Sequence, residues 1–349
     1  MSCRLGIVSA AMLVSGIAAL AGHAALAGQA PPAQSATPRA VSGATPARAW
    51  VQPRTPDGQP DLQGFWSNST YVPLERPNAV TKAFYTPEEA AAIRKAAASR
   101  EQAQTAPGTV DDVHYDFRQF GLDRSQAAQA PNLRTSLIID PPDGKIPPMT
   151  EDGRRRVAER EAATKGVGRW DSAESNQLDD RCLIMAGAGP PMMDAAYNSN
   201  YHIVQAPGYV MILTEMIHDV RVIPLDGRAA PSERVRQWMG TSRGRWEGDT
   251  LVVETTNFNG KNPFRNSSER MRVTERFRRV SDQVILYGFT IDDPSAWTRP
   301  WTAEMPMQKT TGPLFEHACH EGNFGLYNTL VGARLEEQRA AEAARTPKK

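Results

Sequence analysis

Apolar and polar residues alternate over much of the second half of the chain, and that period-two pattern predicts β-strands. In "RMRVTERFRRV", Val273, Glu275 and Phe277 fall on one face, and Arg272, Thr274, Arg276 and Arg278 on the other. The arginine face must be wet or ion-paired, while the apolar face encloses a single carboxylate, Glu275. In "TLVVETTNF", Leu251, Val253, Thr255 and Asn257 oppose Val252, Glu254, Thr256 and Phe258. Tyr287, Phe289 and Ile291 likewise oppose Leu286, Gly288 and Thr290. Further strands are predicted in "YHIVQA" and "YVMILTEM" across a Pro-Gly turn, in "HDVRVIPL", in "RGRW" before a Glu-Gly-Asp turn, and in "WTRPWTAEMPMQK". Seven or eight antiparallel strands within roughly 110 residues, joined by short turns, must curl into a barrel or fold into a sandwich. Several strands carry a polar residue on their apolar face, which is how the lining of a barrel pocket reads.

Helical patterns are few. "TPEEAAAIRKAAASREQAQ" has Thr86 to cap it, Pro87 in the first turn, and acids ahead of bases. Thr150 caps a charged helix running to about Ala163, polar enough to lie outside. "FGLYNTLVGARLEEQRAAEAARTPKK" closes the chain as an amphipathic helix expected to pack against the barrel. Arg134 to Asp140 reads as a strand ended by prolines, and Asp112 to Gln126 as a loop or short helix.

Residues 1–27 read as an export leader: one charge, Arg4, then a small and apolar run ending in Ala25-Leu26-Ala27. Residues 28–53, rich in Ala, Pro, Gln and Thr, read as a disordered tether. The rest, 54–345, is expected to be one domain: a wrapping segment over 54–194, a barrel over 195–312, and a loop with a helix over 313–345. Without Arg4 the 40 basic residues become 39, equal to the 39 acidic ones. Neutrality without a basic block argues against nucleic acid as a partner, and no later run is apolar enough for membrane insertion. The expected location is the periplasm or the exterior. No oligomeric state is assigned.

Of three cysteines, Cys3 leaves with the leader. Cys182 and Cys319 then most simply form one disulfide, with a pair of free thiols as the alternative.

The candidate chemistry clusters in "YVMILTEMIHDVRVIPLDG", where Glu215, His218, Asp219 and Arg221 interrupt an apolar run. Burying such groups is expensive unless they are paired or used. Strict alternation puts Glu215, Ile217, Asp219 and Arg221 on one face and His218 on the other; a bulge or turn near Ile217 changes that. One layout pairs Asp219 with Arg221. Another sets His218 beside Asp219 at a hairpin rim, an acid–base arrangement; a solvated surface turn is the plain alternative. In "FEHACHEGNFGLYN", His320 and Glu321 are expected on a disulfide-anchored loop reaching toward the barrel mouth. His317 and His320, three apart, give a divalent metal a minor place, and no other cofactor is expected. Tyr197, Asn200 and Tyr201 are suited to hydrogen-bonding a ligand, and Glu254 points the same way. Trp297 and Trp301, four apart on a strand, form an aromatic wall or a piece of core. No G-x-S-x-G is present, which argues against a hydrolase elbow.

"TPDGQPDLQGFW", "DDRC", "SRGRWEGDTLVVETTNFN", "DDPSAWTRPWTAEMPM" and "ACHEGNFGLYN" together resemble a large family of secreted bacterial proteins, most without an assigned activity. The resemblance spans nearly everything after the tether and implies export and a barrel-like body. His317 is a departure, since the family pattern usually carries an aromatic residue there. Gly64-Phe65-Trp66 is also similar to the Gly-x-Trp that opens lipocalin-type barrels, in which the Trp closes one barrel end beneath an Arg from a late strand.

The expected protein is therefore mainly β, an antiparallel calycin- or lipocalin-like barrel with peripheral helices and a C-terminal helix. Its expected function is general acid–base catalysis on a small organic molecule, by hydrolysis, elimination or isomerisation. Asp219 or Glu215 would be the base, His218 or His320 the proton partner, and Arg221 the anion stabiliser. The alternatives are a non-catalytic periplasmic binding protein for an apolar or aromatic ligand, and a structural envelope protein with a buried ion network.

Overall fold

The computed structural model describes residues 50–101, 124, 127–185, 187, 189–195, 197–321 and 323–345. The expected leader, residues 28–49 of the tether and most of the 112–126 segment lie outside the described residues.

Among the described residues, ten strands form one antiparallel sheet: β1 (Gly64–Ser67), β2 (Ile138–Asp140), β3 (Asn200–Ala206), β4 (Tyr209–Thr214), β5 (Val220–Pro224), β6 (Thr241–Glu247), β7 (Thr250–Thr256), β8 (Arg272–Arg279), β9 (Val284–Asp292) and β10 (Trp301–Thr310). The order is β5-β4-β3-β1-β10-β9-β8-β7-β6, with β2 paired to β10. The meander predicted from alternation is present as two runs, β3–β5 and β6–β10, with β1 lying between β3 and β10. Its tight turns fall where glycine is required: Gly208 and Gly248 have φ of +78° and +60°, the left-handed region that costs a side-chain-bearing residue most.

Alternation also sets the faces. On β8, Val273, Glu275 and Phe277 point inward, where register places Glu275 opposite Phe289 and Phe277 opposite Tyr287. Trp66, Tyr201, Ile212, Leu251, Phe289 and Trp301 complete much of the core, all essentially inaccessible to solvent. Burying each such side chain contributes about 1.5–3 kcal/mol, which makes the sheet interior the main source of stability. The opposite face is ion-paired, as expected: Arg245 and Arg272 share Glu254, while Arg245 and Arg276 share Glu247. These exposed pairs keep the outer wall soluble and add little energy.

The sheet curls until its edge strands face each other. β5 and β6 share no ladder pairing among the described residues, so hydrogen bonds do not close the sheet into a barrel. Side chains span the gap instead. Arg221 Nη2 donates to Ser242 Oγ at 3.3 Å. Gly244 lies so near β5 that a Cβ there would sit 2.7 Å from Leu225 Cδ2 and 2.8 Å from Ile223 Cγ2. At the far side of the curl, the Arg279 guanidinium from β8 covers the Trp66 ring at 5.6 Å, while Trp66 Nε1 donates to Leu62 O at 2.9 Å.

The three α-helices among the described residues are peripheral. In α1 (Pro87–Glu101), Glu89 N donates to Thr86 Oγ1 and Thr86 N to Glu89 Oε2, a reciprocal capping box. In α2 (Glu151–Thr164), Gly153 N donates to Thr150 Oγ1, and Gly153 is the buried contact point: a Cβ there would sit 2.6 Å from Ala296 O. α3 (Phe324–Arg345) corrects an expectation, because none of its residues is buried. It is held at its start by Asn323 Nδ2 donating to Asp180 O at 2.9 Å, and further along by Arg334 Nη1 donating to Asp171 O at 2.8 Å. The strand expected over Arg134–Asp140 shrinks to Ile138–Asp140, with Arg134 making only an isolated bridge to Phe84. Cys182 and Cys319 form a disulfide across 137 positions of sequence. No helix among the described residues is long and apolar enough to cross a membrane.

Candidate functional site: the seam between the edge strands

The ionisable cluster lies where β4 turns into β5. A single 3-10 turn, Met216–His218, separates the strands, with Ile217 at φ +58° and His218 at φ +47°. Positive φ is unusual for a β-branched residue, and it resets the alternation so that Glu215 and Asp219 belong to different structural contexts. Glu215, 3 % exposed, is an anchor: its carboxylate accepts from Asn200 Nδ2 at 2.6 Å and from Phe315 N at 3.2 Å, fixing the segment before the disulfide loop. His218 is exposed on the turn, its Nδ1 3.1 Å from His317 O.

Arg221 points inward. It is 4 % exposed and pairs bidentately with Glu275, which is fully buried; Nη1 donates to Oε1 at 3.0 Å and Nη2 to Oε2. Tyr287 Oη donates to Glu275 Oε1 at 2.9 Å and accepts from Met192 N at 2.8 Å. Ser242 Oγ, which accepts from Arg221, also lies 2.8 Å from Thr255 Oγ1. Tyr201 joins a neighbouring set, donating to Gly187 O at 2.9 Å and accepting from Asn68 Nδ2 at 3.2 Å. Burial pushes both phenols up, so Tyr201 and Tyr287 stay neutral donors. Burial, the largest single influence, lowers the Arg221 pKa, but the Glu275 charge, its hydrogen bonds and the nearby Tyr287 and Tyr201 together outweigh it and the value rises. The Arg221–Asp219 pair expected from strand alternation is therefore replaced by Arg221–Glu275, a cross-sheet contact between β5 and β8.

A cavity of about 610 Å³ opens along the unpaired seam. Asp219, Arg221, Arg236, Gln237, Thr241 and Ser242 supply its polar wall, and Leu183, Val220, Val222, Trp238 and Met239 its apolar one. Two buried polar atoms of these residues, Arg221 Nε and Thr241 Oγ1, have no hydrogen-bond partner among the described residues. The Asp219 carboxyl is held above the usual carboxylate range by burial, offset in part by the neighbouring His218.

No family model, curated protein or solved structure matches this chain.

The seam gathers only part of the expected site. Asp219 and Arg221 line the cavity; Glu215 does not, being committed to Asn200 and Phe315. His320 and Glu321 are exposed on the loop beyond Cys319 and are absent from the cavity wall. Tyr197 stacks at 6.5 Å on His317, Asn200 serves Glu215, and Tyr201 lies in the interior network. Glu254 stands on the outer wall between Arg245 and Arg272. Trp297 and Trp301 meet edge to face at 5.8 Å in the core, where Trp301 also packs on Phe264 and Phe289. Among the described residues, no three or more His, Cys, Asp or Glu side chains converge on a point where a metal could sit. Glu275, Thr241, Ser242, Trp238 and Met239 had not been marked as site residues. Glu275 had given a signal, as the one carboxylate on an otherwise apolar strand face. Trp238-Met239 had given a fainter one, two large apolar residues in a segment without strand periodicity.

Proposed function

We propose that this chain is an exported protein that holds a small organic molecule in the seam cavity between β5 and β6. The observation that carries the reading is Arg221 Nε, a buried donor without a partner on a residue lining the cavity beside Asp219. Leaving such a donor dry costs about 1–3 kcal/mol, a cost that a ligand acceptor removes. Glu275 grips both Nη atoms, so the guanidinium is held in one orientation before anything binds. Because Glu275 also neutralises the arginine charge, the site favours a neutral hydrogen-bonding group over a strong anion.

The body is read as a calycin-like barrel left unzipped along one line. Its support is the two meanders β3–β5 and β6–β10, which β1 joins into one curled sheet, and the Arg279 cover over Trp66 in the Gly64-Phe65-Trp66 strand. Export is supported by the leader-like residues 1–27 and by the disulfide. Acid–base catalysis is the second reading, favoured by the raised Asp219 pKa, which moves that carboxyl toward the range of a general base.

A thermal-shift screen of small alcohols, phenols and amides tests the proposal, with recovery of the compound by mass spectrometry. A ligand should raise the melting temperature of the wild type and lose most of that effect in Asp219→Asn and Thr241→Val. Unchanged compound identifies a binding protein and a converted one identifies the enzyme. Ligand shifts that persist undiminished in both variants would remove the seam as the site.

A further inference from the structure

A second cavity, of about 380 Å³, adjoins the first. Trp238 and Met239 line both, so these two side chains form the partition between them. The second cavity differs in chemistry. Met185, Pro191, Met193, Phe258, Phe264 and Met271 make it largely apolar, and its four methionines, Met239 included, are soft, adjustable packing partners. Met239 in turn rests on Gly189, where a Cβ would sit 2.9 Å from Met239 Cγ. The absence of a side chain at Gly189 is what gives the partition its room. Both partition residues are only part-buried, so neither is locked into the core.

Resting on the reading of the seam as a binding site, we infer that the two cavities act as one bipartite site for an elongated amphipathic molecule. Its neutral polar head, a phenol, alcohol or amide, accepts from Arg221 Nε–H and donates to Asp219, and its alkyl or aryl tail passes Trp238 and Met239 into the methionine-lined cavity. The head should both accept and donate, because among the described residues the wall offers Arg221 Nε–H as an unpaired donor, the unpaired Thr241 hydroxyl in either role, and the Asp219 carboxylate as an acceptor. A carboxylate head fails the donor requirement, and an ammonium head fails the acceptor requirement. The tail has a competing place within the first cavity itself, along Val220 and Val222 of β5, which are 50 % and 53 % exposed.

Calorimetric titration with phenol and with 4-ethyl-, 4-butyl- and 4-hexylphenol separates these outcomes. In the wild type, affinity should rise by about threefold to fourfold for each methylene that enters the apolar cavity. Met185→Trp and Asn262→Trp fill that cavity from a part-buried and an exposed position, so at least one variant should fold. Both should flatten the chain-length gain while leaving phenol itself unaffected. If phenol binds but added methylenes bring nothing, or their gain survives in both tryptophan variants, the bipartite site is wrong while the seam reading stands. If no member of the series binds, the seam reading fails and the bipartite site falls with it.

Discussion

Glu275→Gln keeps the shape of the side chain and leaves the Arg221 cation unneutralised in the sheet interior. Both partners are almost wholly buried, so water compensates little for the lost charge. Breaking a buried pair by removing one partner costs about 3–5 kcal/mol, because the other charge is stranded. For a body of this size that corresponds to roughly 6–10 °C of melting temperature. Arg221→Met should cost a similar amount by stranding the carboxylate. The double variant Arg221→Met/Glu275→Leu should recover most of the loss, since the desolvation penalty disappears along with the pair. Recovery should stop about 1–3 kcal/mol short of the wild type, because the Tyr287 hydroxyl loses its acceptor. Ser242 and Thr255 still have each other. Urea denaturation of the four proteins closes the cycle and yields the coupling energy directly. Single variants that lose less than about 1 kcal/mol, or a double variant as poor as the sum of the singles, would show that the pair is not an isolated low-dielectric contact.

Reducing the Cys182–Cys319 bond, or replacing both cysteines with alanine, should lower stability by up to about 5 kcal/mol on the chain-entropy estimate for its long loop; melting with and without reductant measures it. Asp219→Asn should raise the melting temperature near neutral pH. The folded-state pKa of Asp219 is raised, so its carboxyl lowers stability as pH climbs through that value, and the gain from Asn should vanish below the ordinary aspartate pKa of about 3.9. An Asn variant with an equal gain at both pH extremes would contradict the burial of that carboxyl.

Much of the sheet was legible because its signals are local. Alternation in "RMRVTERFRRV" predicts both the buried Val273, Glu275 and Phe277 and the ion-paired arginines opposite. Helix starts at Thr86 and Thr150 follow from side chains that reach only three residues ahead. The partner of Arg221 was not legible, because Glu275 lies 54 residues away and meets it only through the curl of the sheet. Alternation also fails between Glu215 and Asp219, where two consecutive residues take positive φ and break the strand period. Trp297 and Trp301 show a different limit. Spacing puts them on one side, but whether that side meets a ligand or Phe289 and Phe264 depends on which elements cover it. The packing expected of α3 failed for a similar reason: amphipathic spacing marks a face but not what lies against it.

The unzipped line between β5 and β6 gives the fold an adjustable girth. Elsewhere around the curl, widening the body would rupture a row of backbone bonds together. Along this line the joints are single side-chain contacts, such as Arg221 to Ser242 and Gly244 against Leu225. Were the seam to hold a ligand as proposed, spreading this one edge would accommodate its bulk while the ladder bonds hold the remaining wall.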